Sequence, residues 1–233
     1  MAHQVASALR VLLERSLDYA GLFPPAALPL EEVCANYERY RASSHAWMLN
    51  RLVLPQSRLA EVAINPEWRV SVIAEEPFPL EQWVAAVETK SMAEFGVRTY
   101  REIAVDQVPE IDCWKFRTGS GDMVSGIAQC SRRILPFKLT AGLHHALRGE
   151  SHQGFLNVFI GSAFAWHNRK LDFWHAIFEE RDAEAFRFGD ELGWRDHVLT
   201  LDQVRAARRD FVHAFGSCSF EEPIADLEQL GLL

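Results

Sequence analysis

The chain has 233 residues, 48% of them hydrophobic and 24% charged, an ordinary globular balance that is long enough to bury one full core. Its 32 acidic residues outnumber 24 basic ones, and the formal net charge of −8 argues against a surface devoted to nucleic acid or to an anionic membrane. Clusters of basic residues are therefore expected in pockets.

In chain order, Arg10, Glu14 and Arg15 interrupt any signal-peptide core, and a first helix is expected from Val5 to Leu17, with Ala8, Val11, Leu12 and Arg15 at three- and four-residue spacing. The segment from Asp18 to Phe23 reads as a short first strand stopped by Pro24-Pro25. Pro29 opens a helix through Val33, Tyr37 and Tyr40. Ala46 to Leu54 is the second expected strand, with Ser57 capping a helix after it, and Arg69 to Ala74 is the third. Trp83, Val84, Val87 and Met92 predict a helix from Leu80 to Phe95, ended by Gly96.

Val97 to Val105 and Cys113 to Thr118 follow as the fourth and fifth strands, and a compact helix from Asp122 to Arg133 leads into the sixth at Ile134 to Thr140. The apolar run Gly154 to Ile160 is taken as the seventh strand, then a helix from Ser162 to about Phe178. Phe186 to Arg195 reads as a hairpin, since turn formers separate two aromatic-rich arms. Thr200 caps a helix from Leu201 to Phe215, Gly216 to Phe220 supplies an eighth strand, and a last helix covers Ile224 to Leu230.

Eight strands separated mostly by helices predict a single domain of the α/β class, a (β/α)8 barrel with an N-terminal helix and a late β-hairpin insertion. An open doubly wound sheet is the alternative, but no GxGxxG turn supports a nucleotide-binding version. Cys34, Cys113, Cys130 and Cys218 show no CxxC spacing and suit reduced core thiols, which fits a cytoplasmic protein.

Strand alternation then selects the side chains that reach the lumen. Trp114 and Phe116 face the surrounding helices, so Lys115 and Arg117 point inward; Phe137 and Leu139 face out, so Lys138 and Thr140 point in. The same rule puts Asn157 inward, with Asn50 and Glu102 as further inward groups, and Lys115 and Arg117 within reach of an ion pair with Glu102. Barrel interiors ordinarily hold branched apolar residues, so a polar set at the C-terminal mouth points to an active site. Thr118, His144 and His145 adjoin these strand ends, Asp18 lies on the first strand, and Ser217 and Ser219 in GSCS offer an anion cradle.

The segment Phe137 to Gly142, FKLTAG, resembles the lysine strand of deoxyribose-phosphate-type class I aldolases, in which a Schiff-base lysine lies in a K-T-S-T-G run with a second lysine on a neighbouring strand. The resemblance implies Lys138 as the Schiff-base lysine and Lys115 as the neighbouring cation. The order of the two lysines is reversed relative to that family, and nothing clearly matches its catalytic aspartate. The combined KFRTG, PFKLTAGLHH and GFLNVF pattern also resembles an uncharacterised bacterial family of (β/α)-barrel type.

The expected function is therefore a carbon–carbon lyase or related enzyme acting on a small anionic carbonyl compound. Lys138 forms an imine after Lys115, Arg117 and partial desolvation depress its pKa, Glu102 or His144 moves protons, and Arg117 holds the substrate anion. Thr118, Thr140, His145, Asn157, Asp18, Ser217 and Ser219 are the expected substrate contacts. No cofactor is required, although Glu102, Asp18 or a loop histidine offers ligands to a divalent metal in a non-covalent variant that stabilises an enolate electrostatically. A third reading is a non-catalytic binding protein for an acidic metabolite. The expected partners are a small anionic metabolite, no nucleic acid and no membrane, with room for a homo-oligomer.

Overall fold

The computed structural model describes residues 5–118, 122–168 and 173–233. Eight parallel strands close a barrel: β1 (Leu17–Tyr19), β2 (Leu49–Pro55), β3 (Val70–Ile73), β4 (Val84–Thr89), β5 (Thr99–Arg101), β6 (Cys113–Arg117), β7 (Phe137–Thr140) and, after a three-strand insertion numbered β8 to β10, β11 (Val212–Ser217). Each of the first seven strands neighbours the next, and β11 sits between β7 and β1 to seal the ring. This is the expected (β/α)8-type architecture.

Helices cover only part of the ring. α1 (Ser7–Leu13) precedes β1, α2 (Leu30–Arg41) joins β1 to β2, and α3 (Met123–Arg133) joins β6 to β7. α4 (Phe155–His167) and α5 (Leu201–Asp210) lie between β7 and β11, and α6 (Glu221–Gln229) follows β11. The connections from β2 to β6 carry only 3-10 turns, at Gln56–Glu61 and Val105–Gln107, or plain loops. Helix boundaries follow local chemistry: the Asp122 carboxylate accepts from the Val124 and Ser125 amides at 3.0 and 3.1 Å to start α3, and Thr200 with Gln203 forms a capping box on α5.

Three expected elements change identity. The segment from Leu80 to Phe95 holds strand β4 instead of a helix, because Val84, Ala86 and Val87 are buried on a stave between β3 and β5. Gly96 accordingly serves a β4–β5 turn with a φ of +68°. The apolar run after Gly154 is helix α4, buried from Phe155 through Ala165, not the seventh strand; a helix hidden on all sides carries no polar face to reveal its period. Ser57 caps no α-helix, and α1 stops at Leu13 so that Leu17 enters β1.

The helix predicted to run to Phe215 stops at Asp210, and the eighth stave is β11, some residues before the predicted Gly216 to Phe220. The seventh stave is therefore Phe137–Thr140, which the sequence had numbered sixth. The predicted helix from Ser162 is the second half of α4; it ends at His167, residues 169–172 lie outside the described part of the chain, and a 3-10 turn covers Phe173–Glu179. The hairpin is present with a third strand, β8 (Phe186–Phe188), β9 (Glu191–Trp194) and β10 (His197–Thr200) forming an antiparallel sheet. Outward-facing Trp114 packs against Gly126 of α3 and donates its indole N–H to the Ile103 carbonyl at 2.9 Å, as the alternation of β6 requires. No helix of the described residues is long and apolar enough to cross a membrane.

Candidate active site

The strands deliver to the lumen a line of alternating charges instead of a stack of branched aliphatic residues. From the floor upward, Arg51 Nη1 lies 3.5 Å from Asp18 Oδ2, and Lys138 Nζ lies 2.5 Å from the same oxygen. Lys138 is also 2.6 Å from Glu88 Oε1, and Lys115 is 3.0 Å from Glu88 Oε2. Lys115 continues to Glu102 at 2.8 Å, and Glu102 to Arg117 at 2.7 Å. Asn50 donates to Asp18 at 2.7 Å and Ser71 to Glu88 at 2.7 Å, which satisfies lone pairs the cations leave open.

Register explains the convergence. Lys115 and Lys138 are Cα partners across the β6–β7 pairing, and Glu88 reaches from β4 to a point between their ammonium groups. Burial raises the Glu88 pKa, but the ammonium charges of Lys138 and Lys115 outweigh it and hold the carboxyl below the ordinary range. Burial likewise disfavours the Lys138 ammonium, yet Asp18 and Glu88 reverse the effect and push its pKa up to about 12. The predicted depression at Lys138 is thus corrected: its nearest charges are carboxylates, and the group is locked as an ammonium.

Above this line opens a mouth cavity of about 300 Å³, walled by Lys115, Arg117, Lys138, Thr140, His144 and Glu88 among others. Phe23 and the Pro24-Pro25 segment close one side, and Ala141 and Gly142, both at positive φ, bend the chain after β7 across another. His144 Nδ1 stands 2.8 Å from Glu222 and 3.3 Å from Ser217 Oγ. Cys218 also lines the cavity, its Sγ 4.0 Å from His144 Nε2, with burial pushing the thiol pKa up.

Of the expected residues, Lys115, Lys138, Arg117, Glu102, Asp18, Thr140 and His144 belong to the charge line or the mouth. Asn157 does not: it sits on α4, where its amide bonds the Arg148 N–H and the carbonyls of Ile177 and Glu180 at 2.7 to 2.8 Å, fastening loops outside the barrel. His145 faces away to Asp226 at 3.2 Å, and its ring lies 4.1 Å from that of His152 at a tilt of 39°. Thr118 donates to the Ala141 carbonyl and lines a separate surface hollow, while the glycine after it lies outside the described residues. The Ser219 hydroxyl accepts from the Glu222 amide at the start of α6, and Ser217 accepts from the Ser219 amide, so these serines brace the turn, while Gly216 and Cys218 beside them line the mouth.

Glu88, Arg51, Tyr100 and His213 are lumen residues that the sequence reading did not single out. Tyr100 places its ring 5.5 Å from Lys138 Nζ and its hydroxyl 2.9 Å from His213 Nδ1. His213 Nε2 faces the Arg209 carbonyl at 3.0 Å, so Nε2 carries the proton and Nδ1 accepts from Tyr100. Among the described residues, no group of three or more His, Cys, Asp or Glu side chains is arranged to hold a metal ion. No family model, no curated protein and no solved structure matches the chain.

Proposed function

We propose that the mouth is the active site of an enzyme that acts on a small anionic carbonyl compound, with lyase chemistry through an imine on Lys115. The observation that carries this reading is the unequal placement of two lysines around one carboxylate. Lys138 is sealed between Asp18 and Glu88, whereas Lys115 is held on its outer side by Glu102, a rim carboxylate that Arg117 also engages. A substrate carboxylate or phosphate that takes Arg117 from Glu102 brings its carbonyl to the outer lysine.

The Lys115 amine, after giving up a proton, adds to the carbonyl carbon, and the resulting hydroxyl leaves as water once protonated. Glu102 and His144 are the groups at the rim able to carry those protons. The fixed Lys138 ammonium, below, stabilises negative charge that develops on the substrate. The pairing of both lysines with carboxylates in the resting site favours a second reading, in which they act on an enolate electrostatically without a covalent step.

Borohydride reduction in the presence of small keto acids, aldehydes and phosphorylated ketones, followed by peptide mass mapping, tests the proposal. The expected result is a mass increment on Lys115 and none on Lys138. A compound that is turned over without leaving an adduct on either lysine would establish the electrostatic reading instead.

A further inference from the structure

The opposite end of the barrel holds a cavity of about 570 Å³, larger than the mouth. It opens where the strands begin: Arg15 precedes β1, Arg51 lies early in β2, Arg69 and Arg98 immediately precede β3 and β5, and Arg208 lies in the last turn of α5, before His213 of β11. In (β/α) barrels this end normally serves stability, and it is filled accordingly. Here seven arginines line it against one carboxylate, Glu14, in a chain whose net charge is −8.

Arg51, Arg205 and Arg209 have carboxylate partners in Asp18, Asp202 and Asp210, but the remaining four cations are not neutralised from within. Among the described residues, Arg15, Arg69 and Arg98 form no ion pair. Arg51, 97% buried by its 3% exposure, leaves its Nε without a hydrogen-bond partner, and so does Arg69. Burial, then Arg51 and Arg15, hold the Arg69 guanidinium below its ordinary pKa, so nearby like charges add to the effect of burial. His213 stays neutral through its own burial and the nearby Arg98 and Arg208, and adds no further positive charge. Arg208 is spent on the Val212, His213 and Glu14 carbonyls, which fixes the wall against which the others converge.

We propose that this cavity is a binding site for a small, hydrophilic, multiply charged phosphorylated metabolite. Guanidinium forks match phosphate oxygens in pairs, and several directed at one space suit more than a single negative charge. The volume lies within the range of metabolite sites. Val11 is the sole aliphatic side chain in the lining and no Phe, Tyr or Trp ring is among its walls, so the ligand is of the sugar-phosphate or polyphosphate kind and brings no large apolar part.

Inorganic pyrophosphate, titrated calorimetrically at fixed ionic strength, is the probe. The wild-type protein is expected to bind it saturably, and Arg69→Gln/Arg98→Gln to weaken binding by about tenfold or more, the loss of two charged contacts. Arg117→Gln, which alters the mouth, should leave that affinity within about twofold. Because like-charge crowding is relieved, the ligand-free double variant should melt no lower than the wild type. If the double variant fails to fold, Arg98→Gln alone, at an exposed position, replaces it. No binding at millimolar pyrophosphate, or undiminished binding by these variants, overturns the proposal. Neither result depends on what the mouth catalyses.

Discussion

Lys115 and Lys138 stand side by side on neighbouring strands, each bonded to a different oxygen of Glu88. The shared carboxylate is what allows two ammonium groups to occupy one lumen. Removing it leaves like charges facing each other at a largely buried position.

Glu88→Gln should therefore destabilise the fold by about 3 to 5 kcal/mol, the cost of breaking a buried pair by deleting one partner. Denaturant unfolding measures it. A change below about 1 kcal/mol, the range of exposed pairs, would mean that the lysines find other partners and that the charge line is not a unit.

Burial, then the guanidinium groups of Arg98 and Arg208, push the His213 pKa down to about 3. In the unfolded chain the same imidazole titrates near ~6.5. Acidification thus protonates the unfolded chain first, and stability that is full above ~6.5 is lost as the pH falls toward the folded value. Melting temperatures between pH 7 and pH 4 should decline in the wild type, and His213→Gln should flatten that slope. Below it, Glu88 acts in the same direction, since its carboxyl is also held low.

Arg117 is half-exposed at the rim, and Arg117→Ala should change stability by less than about 1 kcal/mol, as for a surface pair. Its effect belongs to binding: for an anionic substrate KM should rise about tenfold or more, the loss of a charged hydrogen bond. Parallel unfolding and steady-state measurements separate the two. A large loss of stability with KM unchanged would assign Arg117 to the frame of the barrel.

Asn157→Ala should cost about 3 kcal/mol by stripping buried partners from Arg148, Ile177 and Glu180, with no direct effect on chemistry at the mouth. Unfolding in urea, set beside borohydride trapping, would read both. Loss of trapping in a stably folded variant would return this residue to the site.

The barrel was legible in the sequence because turn signals and apolar runs recur even where helices do not. Alternation on β6 and β7 was equally legible, since Trp114, Phe116, Phe137 and Leu139 mark the outer face and leave the lysines inside. Glu88 was hidden by its surroundings: the Trp83 to Val87 segment has apolar residues at spacings shared by a helix and a short strand. Asn157 was misplaced by the opposite ambiguity, an apolar run too uniform to show its period. The Arg51 contact to Asp18 is long-range, and Arg15, Arg69 and Arg98 are scattered singly along the chain, so only closure of the ring gathers them.

Arg51 is both a wall of the floor cavity and the last cation of the lumen, so the two ends of the barrel share a member. An anion that draws this guanidinium downward weakens its hold on Asp18, whose carboxylate is then left more fully to Lys138. By thermodynamic reciprocity, a substrate that shifts charge along the line from above must change the affinity for that anion by the same factor.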